Sequence, residues 1–474
     1  MAFRLKTLQK WLLRIAARRD RPRFAAWLLA HSLEPVPGLP APSAPRYRVL
    51  ILNLNKPGFQ EDIAASFAGA EDFELVSWPT YALTSFSAAL LAPELSNKRY
   101  DSDDPHIVAS KLRYRNFLSA LWSHVNRHKR IDAVLTANYG YYNQREFAAA
   151  LDAAGTPFIA LHKENVKSPG RVKYWQPIYR KRGRFEGSKI LVYSETEREL
   201  QVSSGVADAA DVTVTGMPRL DRAHRMRSRL FAQGKQPAPL VLFFAFWKRE
   251  KLTATERVSS ARLRMESDEE WSRRNWDKLC EGTYRAIVDL ARSRPDARIV
   301  MKTKPQSVRL EEILKMLGET ADTLPFNFEI VTGGDPIGLI GQSRAVVGFN
   351  STALLEALAA GKPVIVPDFA EARDPAMRDL VIDLGEAVEK ASSPDDLSRA
   401  MHRHLDTWTE PAEELPAISL DTLRQWVGND DGAAGQRVSA AVRSEISRMR
   451  KGHNLGPRQN SKTSDGALGT RATG

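Results

Sequence analysis

The chain of 474 residues has one cysteine, Cys280, so it can form no internal disulfide and no cysteine-rich metal site. That scarcity fits a reducing cytoplasm. No apolar run approaches the roughly 20 residues that a helix needs to cross a bilayer. No G-x-G-x-x-G follows a strand-like segment, which argues against a dehydrogenase holding a dinucleotide cofactor. No isolated D-x-D stands at a strand end either. Asp101, Asp103 and Asp104 fall in a hydrophilic loop, and no metal constellation is expected.

The formal net charge is +12, which implies an anionic partner: a phosphorylated substrate, an anionic lipid or a nucleic acid. The length allows two or more domains with separate cores. Residues 1–33 read as a basic amphipathic helical segment. Phe3, Leu5, Leu8, Trp11, Leu12 and Ile15 recur on one helical face, with Lys6, Lys10, Arg14 and Arg18 on another. Such a segment suits the anionic inner leaflet, with Trp11 and Trp27 as interfacial anchors, or packs its apolar stripe on the protein itself. A mitochondrial-type presequence is a further reading for a eukaryotic source. Charges interrupt any hydrophobic core of a secretory signal. Residues 34–46 form a proline-rich stretch that reads as an extended linker.

The organising stretch is residues 344–368, RAVVGFNSTALLEALAAGKPVIVPD. A short apolar run, 345–349, predicts a buried strand. Asn350, Ser351 and Thr352 are helix-capping types, 353–360 are strong helix formers, and Gly361 suits a left-handed C-cap. Pro363 stops the helix and 364–366 predicts the next buried strand. The turn between strand and helix is a natural phosphate site, because a helix N-terminus presents free N–H groups and partial positive charge. Ser351 and Thr352 can add hydroxyl donors, and Glu356, about one turn into the helix, can accept hydrogen bonds from a ribose diol. An ordinary capped helix with Glu356 on a solvated face is the plainer alternative.

NSTALLEALAAGKPVIVPD, residues 350–368, resembles the nucleotide-binding segment in the C-terminal domain of GT-B glycosyltransferases. The similarity is greatest to bacterial capsule and surface-polysaccharide enzymes, including the CDP-glycerol glycerophosphotransferase-like group and relatives of the UDP-GlcNAc 2-epimerases. In those families the small polar residues hold nucleotide phosphates and the Glu binds ribose, which implies these roles for Ser351, Thr352 and Glu356. Residues 190–221 are similar to the stretch by which such enzymes leave the first domain for the second. There Gly216 and Arg219 would face the interdomain cleft. Relatives of the CDP-glycerol type carry Lys-x-His-Pro after a strand matching 298–302. This chain has Lys302, Thr303, Lys304 and Pro305, which keeps a phosphate clamp but departs from the phosphotransferase pattern.

Upstream, residues 47–221 read as an α/β domain. Strand-like segments at 47–54, 73–78, 131–137, 157–161 and 189–193 alternate with helical periodicity at 111–127 and 144–153, which predicts a parallel sheet covered on both faces. Ligands bind beyond the carboxyl ends of such strands. Three loops qualify. The first holds Asn53, Asn55, Lys56, Pro57 and Gly58. The second is NYGYYN, 138–143, suited to a sugar face or a packed turn. The third is HKENVK, 162–167, where His162 and Glu164 are general-base candidates for an acceptor hydroxyl and Lys163 and Lys167 can bind phosphate. A surface loop whose charges pair with one another is the alternative. Residues 168–184 interleave cations with Tyr174, Trp175 and Tyr179, and suit an acidic glycan or lipid head group better than nucleic acid.

The remaining divisions are a linker at 222–238, a second α/β domain at 239–430 with a polar excursion at 247–268, a helix at 431–450, and a glycine-rich tail at 451–474 expected to be disordered. Cys280 reads as a core residue. The resemblance thus implies an α/β GT-B protein of two Rossmann-like domains with a cleft between them. It would move a sugar from a nucleotide-activated donor to a cell-surface polysaccharide or lipid-linked acceptor. No cofactor beyond the nucleotide-sugar substrate is expected, and no nucleic acid. The expected location is cytoplasmic, with peripheral attachment to the inner face of the plasma membrane. A glycerophosphotransferase, a non-hydrolysing nucleotide-sugar epimerase, and a membrane- or nucleic-acid-binding protein without catalysis are the alternatives.

Overall fold

The structure, a computed structural model, describes residues 2–39, 42–95, 100–163, 165–248, 275–303, 310–408, 410 and 412–454. The expected positions Glu164 and Lys304, most of the excursion at 247–268 and the tail beyond 454 lie outside the described residues.

Two sheets organise the described residues. The first contains β1 (Glu34–Pro35), β2 (Tyr47–Ile51), β3 (Phe73–Ser77), β4 (Ala133–Thr136), β5 (Phe158–Leu161), β6 (Lys189–Val192) and β7 (Val212–Val214). Their order is β1-β3-β2-β4-β5-β6-β7, with β1 antiparallel to β3 and the other pairs parallel. The second contains β8 (Leu240–Phe244), β9 (Arg298–Thr303), β10 (Phe328–Thr332), β11 (Ala345–Gly348), β12 (Val364–Pro367) and β13 (Glu389–Ala391). It runs β10-β9-β8-β11-β12-β13, parallel throughout. Central strands are continuous apolar runs, such as the fully buried LVLFF of β8, because helices cover both faces. Strand order reverses between β2 and β4 in one sheet and between β8 and β11 in the other, and these switch points are where doubly wound sheets hold ligands. The fold is α/β, the two Rossmann-like domains of the GT-B architecture.

The N-terminal segment differs from its expectation. It forms two helices, Ala2–Arg18 and Pro22–Ala30, broken where Asp20 takes a left-handed φ of 48° and Pro22 opens the second helix. Nor does the Leu8–Trp11 stripe pack inward. Leu13, Ala16 and Ala17 face the first domain instead, where the first helix lies on Ala82–Leu90 and the second on Pro105–Lys129. Periodicity marks an apolar face but does not say which face meets the core. The proline-rich stretch is likewise not all linker, since Glu34 and Pro35 pair with Ser77 and Val76 as a sheet-edge strand, where proline is tolerated.

The chain crosses between domains twice, and the crossings lie side by side. The Asp221 carboxylate accepts hydrogen bonds from Asn429 Nδ2 at 2.7 Å and from the Gly435 N–H at 2.9 Å. Arg437 donates to the Thr215 carbonyl at 2.8 Å and the Gly428 carbonyl at 3.0 Å. A Cβ at Gly428 would lie 2.0 Å from the Tyr193 carbonyl oxygen, and one at Gly216 would lie 2.4 Å from the Gly428 oxygen. Both glycines also have positive φ, so backbone proximity and conformation together demand them. The last helix, Ala434–Asn454, then places Val438, Val442 and Ile446 in one apolar cluster with Val49, Ile51 and Phe59 of the first domain.

Candidate functional site

The carboxyl edge of the second sheet is level. Gly348 of β11 stands opposite Phe244 of β8, and Phe244 opposite Lys302 of β9. Lys302 and the turn 350–352 therefore leave one edge about 10 Å apart, two strand spacings across the switch point. Ser351 caps the helix Thr352–Ala359, its hydroxyl accepting the Ala353 N–H at 3.3 Å, and Thr352 is the first helical residue. Asn350 takes a left-handed φ of 47°. Its amide spans to another segment, donating to the Leu380 carbonyl at 3.0 Å and accepting the Ile382 N–H at 2.8 Å. The side chain expected at the phosphate thus braces the turn against residues 380–382. Lys302 is buried, donates to the Thr303 carbonyl at 3.0 Å, and has no carboxylate partner among the described residues. Burial pushes its pKa down.

Behind that turn, residues of both domains meet. Asp62 comes from the helix Phe59–Phe67, Tyr193 follows β6, Arg219 lies on the first crossing, and Glu356 is on the capped helix. Arg219 Nη1 donates to Asp62 Oδ2 and to the Tyr193 hydroxyl, both at 3.0 Å. The Tyr193 hydroxyl donates to Asp62 at 2.6 Å. Arg219 Nε stands 3.5 Å from Glu356 Oε1, an ion pair at loose hydrogen-bond distance. Glu356 Oε2 is buried and has no hydrogen-bond partner among the described residues. Burial raises the pKa of Glu356, against the pull of Arg219, and raises that of Asp62 in the same way. The solvated Glu356 of the plainer reading does not occur; Glu356 is only 6% exposed.

On the first-domain side the loops after β2 and β5 converge. Lys163 Nζ reaches the Pro57 carbonyl at 3.4 Å, and the Lys56 ammonium lies 5.6 Å from the Tyr141 ring centre. Asn55 is exposed beside them, and a Cβ on Gly58 would lie 3.4 Å from Arg219 Nη1. Asn55, Lys56, Lys163 and Arg219 thus share a neighbourhood. Gly216 does not open to it, being packed between the crossings.

His162 turns the other way. It is buried, with Nε2 3.3 Å from both the Tyr179 hydroxyl and Glu197 Oε1. Glu197 also accepts from Lys167 Nζ at 2.6 Å, from Tyr179 at 2.9 Å and from Gln201 at 2.9 Å. Burial alone would raise the Glu197 pKa, but Lys167 and His162 outweigh it and bring it from 4.5 to about 2. His162, one of the two expected bases, and the expected phosphate ligand Lys167 are therefore engaged in a buried network around Glu197. The basic and aromatic run forms the helix Pro169–Arg182, in which Trp175, Tyr179 and Arg182 are buried, so it offers no stacking platform at those positions. NYGYYN is a packed turn at its start, with Asn138 and Tyr139 buried and Asn138 Oδ1 accepting the Gly140 N–H at 2.8 Å. Cys280 is buried and its thiol pushed up to about 12, as suits a core residue.

Asp62, Tyr193 and Glu197 were not anticipated. A signal existed for two of them: Asp62 lies within the apolar stripe Phe59, Ile63 and Phe67, and Glu197 within the buried set Leu200 and Gln201 on one helix face. A further bridge joins the domains, with Lys173 Nζ 2.6 Å from Asp379. A cavity of about 560 Å³ between the helices Asp277–Ser293 and Leu310–Leu317 contains none of the described residues expected at the site. Among the described residues no group of three or more His, Cys, Asp or Glu could hold a metal ion.

No family model matches the chain, and no curated protein matches it. Solved structures of similar chain path include the S. aureus protein MnaA with UDP, at 13% identity and a TM-score of 0.45, covering 85% of this chain and 97% of that one. A UDP-GlcNAc 2-epimerase from Neisseria meningitidis bound to UDP-GlcNAc aligns at 11% identity and a TM-score of 0.45, over 85% of this chain and 99% of that one. The UDP-GlcNAc 2-epimerase of Methanocaldococcus jannaschii gives 11% and 0.44, over 84% and 99%. At such identities and scores, the site is read from its own geometry.

Proposed function

We propose that the chain binds a nucleotide-activated sugar at the carboxyl edge of the second sheet and transfers the sugar to a glycan or lipid-linked acceptor. The observation that carries this reading is Glu356 Oε2, a buried carboxylate oxygen without a partner among the described residues, one turn into the helix that begins at the switch point. A buried acceptor left unmade is costly, and a ribose diol supplies the missing donors. The helix N-terminus at Ser351 and Thr352, with the Lys302 ammonium, suits the diphosphate and would stabilise it as charge develops on the leaving group. Lys304 extends that clamp in this proposal. The acceptor hydroxyl attacks the anomeric carbon, the bond to the phosphate oxygen breaks, and the acceptor proton passes to a base. With His162 held by Glu197, the proposal assigns that base to Glu164, and places Asn55, Lys56, Lys163 and Arg219 on the acceptor side.

Calorimetric titration of UDP, GDP, CDP and CMP tests the reading. One nucleotide should bind, and Glu356→Gln should weaken it about tenfold or more, as expected for loss of a hydrogen bond to a charged group. Binding of none, or equal binding by the variant, overturns it. Epimerisation of the same nucleotide sugar is a second reading, since it would use the same donor site and needs no acceptor. Formation of an epimer from the nucleotide sugar alone, with no acceptor added, would select it.

A further inference from the structure

Four helices lie together on one face of the first sheet: Ala2–Arg18, Pro22–Ala30, Ala82–Leu90 and Pro105–Lys129. Together they contain eleven Lys and Arg and no Asp or Glu, although the whole chain has 57 acids. The charge of this protein is therefore segregated, and this layer is one of its basic poles. The two N-terminal helices add large apolar side chains that the core does not use. Leu8 is 51% exposed, Trp11 56%, Phe24 42% and Trp27 57%. Phe24 and Trp27 stack on each other with ring centres 6.2 Å apart.

At 100° per residue, Leu8, Trp11 and Ile15 fall within a narrow arc of the first helix, and Arg14 and Arg18 border the same arc. Lys10, Arg14 and Arg18 are all exposed. Leu13, Ala16 and Ala17 fill the opposite side and anchor the helix to the domain. A helix with one face bound to its own protein and the other displaying tryptophan among cations is built to lie on something flat, apolar just below its surface, and negative. No described helix is long and apolar enough to cross a membrane, so the contact is in-plane.

We propose that the outward faces of Ala2–Arg18 and Pro22–Ala30 form a docking surface for an anionic lipid bilayer. Trp11 and Trp27 enter the headgroup boundary, where an aromatic ring with a polar edge is most at home. Lys10, Arg14, Arg18 and Arg23 meet the anionic headgroups. The face is prefolded on the domain, so little ordering cost opposes binding. This proposal stands apart from the nucleotide-sugar reading.

Sedimentation of the full chain with phosphatidylcholine vesicles, with and without phosphatidylglycerol, tests it. The protein should pellet with the anionic vesicles and stay in solution with the neutral ones. The triple variant Lys10→Glu, Arg14→Glu, Arg18→Glu should bind about a hundredfold more weakly, from the loss of several cation contributions. Trp11→Ser with Trp27→Ser should bind about tenfold more weakly, with an unchanged thermal midpoint because both rings are exposed. Failure to pellet with anionic vesicles overturns the proposal, as does equal binding to both vesicle types or undiminished binding by the charge-reversed variant. Self-association that the tryptophan variant abolishes, without vesicle binding, also overturns it and assigns the face to a second copy of the chain.

Discussion

Glu197 and Glu356 are carboxylates withdrawn from water in different parts of the molecule, and they are held in different ways. Glu197 receives hydrogen bonds from Lys167, Tyr179 and Gln201, stands beside His162, and is driven down to about 2. Among the described residues Glu356 has one cation at 3.5 Å and one oxygen with no partner, and its pKa is raised. The first group is saturated by its own domain and has nothing left to offer a ligand. The second lies where two domains meet and keeps an unmet demand. Burial is common to both, so it is the completeness of hydrogen bonding that separates a structural acid from a candidate ligand-binding one.

The largest expected effect breaks the saturated side. Glu197→Ala removes the buried carboxylate to which Lys167, Tyr179 and Gln201 donate, and should cost about 3–5 kcal/mol in urea-unfolding free energy. Glu356→Gln, which removes an under-paired charge, should stay within about 1 kcal/mol in the same melts. A similar loss for both variants would erase the distinction.

A smaller effect is in the pH dependence, where the two acids should have opposite signs. The folded pKa of Glu197 lies below its ordinary value, so its contribution is present above about 4.5 and is lost as pH falls toward about 2, in total about 3 kcal/mol. The folded pKa of Glu356 lies above its ordinary value, so its contribution is greatest below that value and is lost as pH rises through the folded one. Unfolding free energies from about pH 3 to about pH 7 should therefore lose acid sensitivity in Glu197→Gln, and gain stability toward neutral pH in Glu356→Gln.

The smallest effect sharpens the open side. Lys302→Gln should weaken nucleotide binding by about tenfold and reduce its salt dependence, with stability unchanged within about 1 kcal/mol. Unaltered affinity would remove Lys302 from the phosphate clamp.

Much of the scaffold was legible in residue order. Runs such as LVLFF at 240–244 and AVVG at 345–348 are strands because they are short, apolar and bounded by polar turns. Ser351 was legible as a cap because capping depends on the next few residues alone. His162 was misleading because its partners, Tyr179 and Glu197, come from two later helices, and nothing in HKENVK shows whether the ring faces outward. Asn350 belongs to the turn read as a phosphate site, while its amide is committed to residues 380 and 382.

Residue order by itself determined the alternation of strand and helix, the capped turn at 350–352, the single-cysteine core and the basic N-terminal segment, since each follows from local spacing and side-chain chemistry. Tertiary structure alone decided which face of the first helix turns outward, that Gly216 and Gly428 must let two crossings touch, and that Arg219 meets both Asp62 and Glu356. Asp62 and Glu356 are nearly three hundred residues apart in the chain. Only the packing of two sheets brings them to one arginine, and the energetics of a buried charge depend on what stands beside it in space.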